Sequence, residues 1–255
     1  METYLFLLVI CYNFVAICEV ICMDKPIIGI VCKHRKSDIN SLRSDSRIRD
    51  EIKQAIFDNG GIAIGIILPN EGINLVKKPE DCSYDELLKE DIISQISLCD
   101  GIILQGGNAS EIGEMFIAEY CYNEDIPVLG ICAGQNQIVR ALGGTLCKVD
   151  DVSKHLQIHS EYVHKCYINP TSKFYNIVGT TQMMVNSRHT KRVKTCPNLN
   201  IVGLCDDGYA DVVEDPNKKF YIGVRFHPES LYKKDKTMNN IFVSFLAVAK
   251  LRNRK

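Results

Sequence analysis

The chain has 255 residues, 12 cysteines and a formal net charge of −1 at pH 7. Its length suits one α/β domain or two small ones and allows a substantial core without disulfide staples. The balanced charge excludes the strongly basic composition of a nucleic-acid-binding protein. Many cysteines lie in apolar, strand-like runs, and neither a C-x-x-C pair nor a zinc-ligand spacing occurs. We therefore predict free core thiols, a cytoplasmic location and no metal site.

Residues 1–22 form an apolar leader whose origin the sequence leaves open. Residues 5–17 are almost wholly apolar, as in a signal peptide or short membrane anchor, but Glu2 is the only charge before them. Met23 stands just before the first strand pattern, so translation from Met23 would make the leader a start-site artefact. A secretory signal or anchor, which would make the protein secreted or membrane-anchored, and a folded appendage are the other two interpretations. We assign 23–255 to a single functional domain.

Apolar runs alternate with helical patterns through the first half of the chain. A polar loop is expected at 33–45, between the first strand and the first helix. The predicted strands are 27–32, 62–68, 102–104 and 126–131, and the predicted helices are 46–58, 84–98, 110–122 and a helix after Gly134. Strands and helices alternating at this spacing predict an α/β fold with an open, mostly parallel sheet and helices on both faces.

The pattern changes after Gly143-Gly144, where strand signals dominate. The predicted strands are 145–149, 164–168, 183–185, 201–205, 210–214 and 220–226, followed by an amphipathic helix over 238–251. We expect the strands at 164–168 and 183–185 to form a small mixed β region beside the main sheet.

The first chemical signal is Gly130-Ile131-Cys132-Ala133-Gly134, between an apolar strand and a helix. It matches the nucleophile-elbow pattern G-x-S-x-G with cysteine in place of serine. Small neighbours permit a strained turn, and a thiol at a helix N-terminus is favoured as thiolate. The Ala133 amide is placed to face a developing oxyanion. A buried structural cysteine in a βα turn is the alternative, so the elbow needs a partner base.

The second signal is His227-Pro228-Glu229 at the end of a predicted strand. Residues two apart in an extended segment project the same way, so we expect Glu229 to orient the His227 imidazole. The other ring nitrogen then remains for Cys132, which gives a nucleophile, a base and an orienting carboxylate. Alone, this tripeptide would suit a surface turn; together with the elbow it predicts a cysteine-based catalytic site.

Four segments together resemble the class I glutamine amidotransferases, and more closely the peptidase C26 family, which includes γ-glutamyl-γ-aminobutyrate hydrolase. The resemblance extends from about residue 25 to about residue 250. The segments that carry it are 100–107 (DGIILQGG), 130–135 (GICAGQ), 185–189 (VNSRH) and 223–229 (GVRFHPE).

The resemblance implies a flavodoxin-like fold with Cys132 as nucleophile, His227 as general base and acid, and Glu229 as its orienting residue. The oxyanion hole would comprise the backbone amides of Gly107 and Ala133. No metal or organic cofactor is implied.

On the substrate side, the resemblance points to His189. Gln135, Arg188 and the loop 157–161 are further candidates for contacts with the α-amino and α-carboxylate groups.

Four residues depart from the family pattern, at three places that we expect around the pocket rim. Ala133 replaces a large basic residue, Gln105 replaces a proline, and Thr190-Lys191 replaces His-Gln. These differences leave the substrate open while the catalytic residues are retained.

The predicted function is hydrolysis of γ-glutamyl amide bonds in small γ-glutamyl compounds through a γ-glutamyl thioester. One alternative is a glutaminase subunit that delivers ammonia to a separate synthase partner. Another is a catalytically inactive binding protein of the same fold. The sequence does not identify the leaving amine or fix the oligomeric state, for which a homodimer is one candidate.

Overall fold

The structure, a computed structural model, describes residues 25–36, 44–68, 86–107 and 111–252. The leader 1–22 and the first two residues of the predicted 84–98 helix lie outside these ranges. The three interpretations of the leader and the cytoplasmic location therefore stay predictions. In the ranges described, no helix has the length and apolar character needed to cross a membrane.

The elements follow one another along the chain much as the sequence patterns predict. The strands are β1 Ile27–Val31, β2 Lys33–Lys36, β3 Ser44–Arg47, β4 Ile62–Ile66, β5 Gly101–Leu104, β6 Val128–Ile131, β7 Thr145–Lys148, β8 His164–Ile168, β9 Gln182–Val185, β10 Lys191–Thr195, β11 Asn200–Cys205, β12 Ala210–Glu214 and β13 Tyr221–Val224. The helices are α1 Asp50–Asp58, α2 Glu86–Ser97, α3 Glu111–Asn123, α4 Ala133–Ala141, α5 Val152–His155, α6 Lys173–Val178 and α7 Lys236–Lys250, with a short 3-10 helix at Pro228–Ser230.

One nine-stranded sheet organises the fold, in the order β4-β1-β5-β6-β13-β12-β11-β8-β9. The first five strands are mutually parallel, and the remaining four extend the sheet by antiparallel pairing. The predicted α/β fold with a mostly parallel sheet and helices on both faces is confirmed. Since β6 and β13 are adjacent and parallel, their carboxyl ends lie side by side at one edge, where ligands bind in open α/β sheets.

The two faces of the sheet bury two apolar clusters, because alternate side chains of a strand point in opposite directions. Ile28 and Ile30 of β1 pack on the face covered by α1 and α7, with Ile52 and Phe242. Side chains of β5 and β6 that point the other way meet α2, α3 and α4, in a cluster that includes Ile138. This double covering explains why the parallel strands are continuous apolar runs.

Several local expectations were wrong. Part of the predicted polar loop at 33–45 belongs to a hairpin in which β2 pairs with β3, so α1 begins at Asp50 rather than Ser46. β8 and β9 are the edge of the main sheet, whereas β7 and β10 pair with each other in a separate two-stranded sheet. The sequence analysis missed β10 because its lysines and arginine interrupt any apolar pattern. It missed α5 and α6 because each is too short for a helical repeat to show.

Candidate active site

Cys132 occupies a strained turn between β6 and α4. Its backbone has φ 53° and ψ −100°, a region that non-glycine residues rarely adopt. The two glycines around it allow close contacts: a Cβ on Gly134 would lie 1.9 Å from the Leu104 carbonyl oxygen, and one on Gly130 would lie 2.5 Å from Ile138 Cδ1. The elbow geometry that the sequence pattern predicts is therefore present, with the thiol at the N-terminus of α4.

The Cys132 thiol lines a cavity and forms a hydrogen bond with His227. Burial opposes its ionisation, but that hydrogen bond and the positive charges of His227 and Arg225 hold the pKa of Cys132 below its ordinary value. A lowered thiol pKa in a cavity wall distinguishes a reactive cysteine from a structural one.

His227 Nδ1 lies 2.7 Å from Glu229 Oε1, and both side chains are almost fully buried. Burial alone would favour the neutral ring, but the Glu229 carboxylate and the Cys132 thiol raise the pKa of His227 to about 10. Burial likewise acts against the Glu229 charge, but His227 lowers the pKa of that carboxyl. Each of the three shifts favours the charged form of its group: the thiolate, the imidazolium and the carboxylate.

Glu229 lies beside the His227 ring as the sequence predicts, but through a different local geometry. The segment is not extended, because His227 caps a 3-10 helix that spans Pro228–Ser230. Proline suits the first position of such a turn because it has no N–H to leave unpaired. The turn, rather than strand alternation, brings the carboxylate back to the ring.

Asn186 holds the backbone of His227 on both sides. Its Oδ1 accepts from the His227 N–H at 2.7 Å, and its Nδ2 donates to the His227 carbonyl at 2.9 Å. Asn186 is buried, so the two bonds fix the start of the His-Pro-Glu turn. The sequence analysis gave this asparagine no role, because only its place in the 185–189 segment marked it.

Arg225 is a buried cation beneath the elbow. Its Nη1 donates to the Cys132 carbonyl at 2.9 Å and to Asn136 Oδ1 at 2.7 Å, and its Nη2 donates to the Lys191 carbonyl. Burial lowers the pKa of this guanidinium, whereas the nearby Cys132 and Asp211 act to raise it. Arg225 thus ties the strained turn to the β10 side of the cavity, and no sequence pattern singled it out.

The Gly106-Gly107 turn lies directly against Cys132 and His227. A Cβ on Gly106 would lie 2.9 Å from His227 Cε1 and 3.3 Å from Cys132 Cβ, while Gly107 has φ +120°, which favours glycine. Ala133 is the first residue of α4, so its amide has no acceptor within the helix. Both proposed oxyanion residues, Gly107 and Ala133, line the cavity beside Cys132.

Gln105, which stands where the family usually has proline, connects three segments. Its Nε2 donates to the carbonyls of Val31 and Arg47, and its Oε1 accepts from the Arg49 N–H at 3.0 Å. These bonds fix the segment after β3 and bring Arg49 to the cavity wall beside Gly107.

The three candidate substrate residues lie in different places. Arg188 lines the cavity and donates to Ser230 Oγ at 3.0 Å, and His189 lines it as well. Burial and the positive charge of Arg225 lower the pKa of His189 to about 2, so this ring is neutral. Gln135 does not reach the cavity: it is fully buried and donates to the carbonyls of Asp211 and Gly223. We therefore withdraw Gln135 as a substrate contact, since its side chain packs between α4 and the sheet.

The cavity has a volume of about 630 Å³ and a strongly cationic wall. Of the loop 157–161, only Ile158 lines it, so that loop supplies an apolar wall instead of the expected polar contact. None of the described residues that line it is Asp or Glu. Its positively charged lining consists of Arg49, Arg140, Arg188, Lys191 and Arg225.

Comparison with known proteins gives consistent results. The family model for Peptidase C26 matches residues 108–229. CTP synthase of Chlamydia muridarum is 29% identical over 217 residues, covering 70% of this chain and 40% of the relative. GMP synthase [glutamine-hydrolyzing] of Histophilus somni is 31% identical over 153 residues, covering 56% of this chain and 28% of the relative. The chain thus spans two fifths or less of the length of these relatives.

Two solved structures share the fold. The glutaminase domain of Trypanosoma brucei CTPS, with bound acivicin, superposes with a TM-score of 0.61 at 16% identity, covering 90% of this chain and 95% of that one. A putative GMP synthase protein from Thermoplasma acidophilum superposes with a TM-score of 0.60 at 15% identity, covering 88% and 94%. At these identities the likeness establishes the architecture alone.

Proposed function

We propose that this chain, whose residues 108–229 match the family model for Peptidase C26, hydrolyses γ-glutamyl amide bonds with Cys132 as nucleophile. The observation that carries this proposal is the chain of contacts from the Cys132 thiol to the His227 ring and on to Glu229, at 2.7 Å for the last step. It lies at a strained helix start in a cavity wall. This is the arrangement that an acyl-transferring cysteine requires.

In the first half-reaction, the Cys132 thiolate attacks the γ-carbonyl carbon and forms a tetrahedral oxyanion. Collapse of that adduct breaks the C–N bond, and the His227 imidazolium gives its proton to the departing amine. The product is a γ-glutamyl thioester on Cys132 and a neutral histidine. Glu229 stabilises the charged ring before the transfer and keeps its orientation afterwards.

In the second half-reaction, neutral His227 removes a proton from water, which attacks the thioester carbonyl. Collapse of the second tetrahedral adduct releases glutamate and restores the thiolate and imidazolium. The amides of Gly107 and Ala133 are the proposed donors to both oxyanions, since they flank the thiol from two separate elements. No proton or electron beyond those of water is needed.

The cationic wall supports a substrate that carries extra negative charge. Arg49 approaches the cavity from the segment after β3, and Arg188 and Lys191 approach it from the segment that leads into β10, so a carboxylate-bearing leaving amine finds donors from two separate segments. A polyamine would instead place like charges together in a partly desolvated space. We therefore propose γ-glutamyl conjugates of acidic amines, such as amino acids or γ-aminobutyrate, as the substrate class.

A glutaminase that passes ammonia to a separate synthase is the second candidate. The specific observation in its favour is the similarity to CTP synthase and GMP synthase. The same cysteine chemistry serves both functions, and the difference lies in whether turnover needs a partner. A synthase partner is therefore proposed only under this second function.

Glutamate release from a panel of amides separates the two functions. Purified full-length protein is offered glutamine, γ-glutamyl-γ-aminobutyrate, γ-glutamylglutamate and γ-glutamylputrescine, and glutamate and ammonia are measured. The proposal expects turnover of the acidic amides at least about tenfold above that of γ-glutamylputrescine, lost in Cys132→Ala. Cys196→Ala, which alters a half-buried thiol at the end of β10, is the matched control and should keep activity.

One further variant tests the acidic leaving group. Arg49→Gln should lower kcat/KM for γ-glutamylglutamate by about tenfold, the cost of one charge-assisted hydrogen bond, and leave glutamine turnover unchanged. Slow ammonia release from glutamine alone would favour the synthase-dependent glutaminase. If no amide is turned over and Cys132 resists alkylation, the enzyme proposal is wrong.

A further inference from the structure

A second cavity, of about 510 Å³, lies beyond the histidines of the first. Its wall includes His155, His164, Cys205 and Asp207. The His155 ring connects the two cavities, because its centroid lies 5.0 Å from that of His189, which lines the first, and 5.5 Å from that of His164. The proposed chemistry at Cys132 uses none of these second-cavity side chains.

Three potential metal ligands converge at one edge of the antiparallel part of the sheet. His164 begins β8, Cys205 ends β11 and Asp211 lies at the start of β12, so antiparallel pairing brings them to the same edge. Their donor atoms all lie within 4.8 Å of one another, and His164 Nε2 is 3.0 Å from Asp211 Oδ2. We call these three residues the distal cluster.

Two buried ring nitrogens beside the distal cluster lack hydrogen-bond partners among the described residues. They are Nδ1 of His164 and Nδ1 of His155, in side chains that are 10% and 3% exposed. His155 Nε2 lies 3.3 Å from Asp207 Oδ2. Burial removes these two nitrogens from water without a hydrogen bond in return, which is a reason to expect a further binding partner. The cavity beside both rings leaves room for one.

We propose that the distal cluster binds Zn²⁺ through His164, Cys205 and Asp211, with a fourth position open to the second cavity. A nitrogen and an oxygen on the same tetrahedral zinc lie about 3.3 Å apart, close to the observed His164–Asp211 separation. A sulfur and an oxygen lie about 3.6 Å apart, so a small movement of the Cys205 side chain completes the set. Binding ionises the Cys205 thiol and releases its proton to solvent.

The donor set favours zinc over harder cations. One thiolate, one imidazole and one carboxylate suit Zn²⁺, whereas Mg²⁺ and Ca²⁺ prefer oxygen ligands alone. Cys166 is the direct cross-strand partner of Cys205 and also lies close to Asp211. The competing interpretation is a metal-free hydrogen-bond network that joins β8 to β12.

Metal binding is tested on full-length protein carrying Cys132→Ala, so that the elbow thiol contributes nothing. The protein is stripped with a chelator, dialysed against Zn²⁺, and its zinc content is measured by mass spectrometry. We expect one zinc per chain, an unfolding temperature that rises with zinc, and a thiolate-to-metal charge-transfer band when Co²⁺ is used instead. Adding Cys205→Ser or His164→Gln should weaken zinc binding by at least about tenfold and remove the cobalt band or shift it.

The matched control adds Cys196→Ser, which changes a half-buried thiol outside the cluster and should leave both metal signals intact. X-ray absorption at the zinc edge tests the site without any cluster variant, and should give one sulfur and three nitrogen or oxygen neighbours. A zinc content below about 0.1 per chain would overturn the proposal. So would equal binding by the Cys205→Ser protein, or an absorption spectrum without sulfur.

Discussion

Two buried regions of this molecule each combine a cysteine, a histidine and a carboxylate, yet their thiols differ in acidity. At the elbow, the pKa of Cys132 is lowered despite burial, because His227 hydrogen-bonds to it and carries charge. In the distal cluster, burial and the nearby Asp211 carboxylate raise the pKa of Cys205 to about 11. The same three residue types therefore lower the pKa of the thiol in one place and leave it raised in the other.

The position of each cysteine in the fold accounts for the difference in thiol pKa. Cys132 stands at the start of a nine-residue helix, on a turn that directs the thiol into a cavity, and its histidine is charged by Glu229. Cys205 ends a strand and shares its surroundings with Asp211, whose negative charge opposes ionisation. Residue composition thus identifies candidates for chemistry, while position relative to helix ends and neighbouring charges decides their protonation.

The largest expected effect comes from removing the histidine of the elbow. His227→Gln should lower kcat/KM by at least about 10⁴-fold, because the proton donor and the charge that stabilises the thiolate are both lost. Turnover of γ-glutamylglutamate measures it. His159 is an exposed histidine in the loop after α5, so His159→Gln serves as the control and should change activity less than twofold. If His227→Gln keeps its activity, His227 does not activate Cys132, and the proposed difference between the elbow and the distal cluster is wrong.

Glu229→Gln should reduce kcat by roughly 10³-fold and also move the pH profile. The Glu229 charge is a principal cause of the raised His227 pKa, so its removal makes the imidazolium lose its proton at lower pH. The high-pH limb of kcat/KM is therefore expected to shift toward acid. An unchanged high-pH limb would mean that the carboxylate does not set the charge of the ring.

Alkylation compares the thiols directly. At pH 6, iodoacetamide should modify Cys132 at least about a hundredfold faster than Cys166 or Cys205, whose pKa values are raised by burial. Peptide mass mapping over time gives the individual rates. Similar rates for the three cysteines would show that the elbow confers no special acidity.

The smallest expected effect concerns stability. Burial and Arg225 depress the pKa of His189 to about 2, so its stabilising contribution is present above the unfolded value of about 6.5 and is lost as pH falls below it. Below a pH of about 6.5, protonation of this histidine in the unfolded chain should lower the free energy of unfolding by up to about 1.4 kcal/mol per pH unit.

Urea unfolding at pH 7 and pH 5 measures that loss. His189→Gln should flatten the pH dependence, whereas His159→Gln, which changes an exposed ring, should retain it. If the two variants show the same slope as the unaltered chain, His189 is not the group that titrates.

The sequence predicted most of the parallel half of the fold and less of the rest. Buried parallel strands such as Ile27–Val31 are uninterrupted apolar runs and are therefore recognisable. Lys191–Thr195 and the β2–β3 hairpin carry many polar side chains, and their pairing depends on partners elsewhere in the chain. Gln135 shows the same limit for a site residue, since nothing in its local pattern tells a core contact from a cavity contact.

By itself, the sequence determined the α/β class, the glycine-flanked Cys132 and the position of His-Pro-Glu after a strand, because steric needs and apolar periodicity are local properties. Only the tertiary structure decided which side chains share one cavity and what charge they carry there. Asn186 fixes the backbone of His227, and Arg225 supports the Cys132 elbow, each across a long stretch of chain. The distal cluster joins residues from β8, β11 and β12 with no recognisable ligand spacing. Hydrogen bonds and pKa values depend on which distant segments pack together and on how deeply each group is buried. No local sequence pattern specifies either.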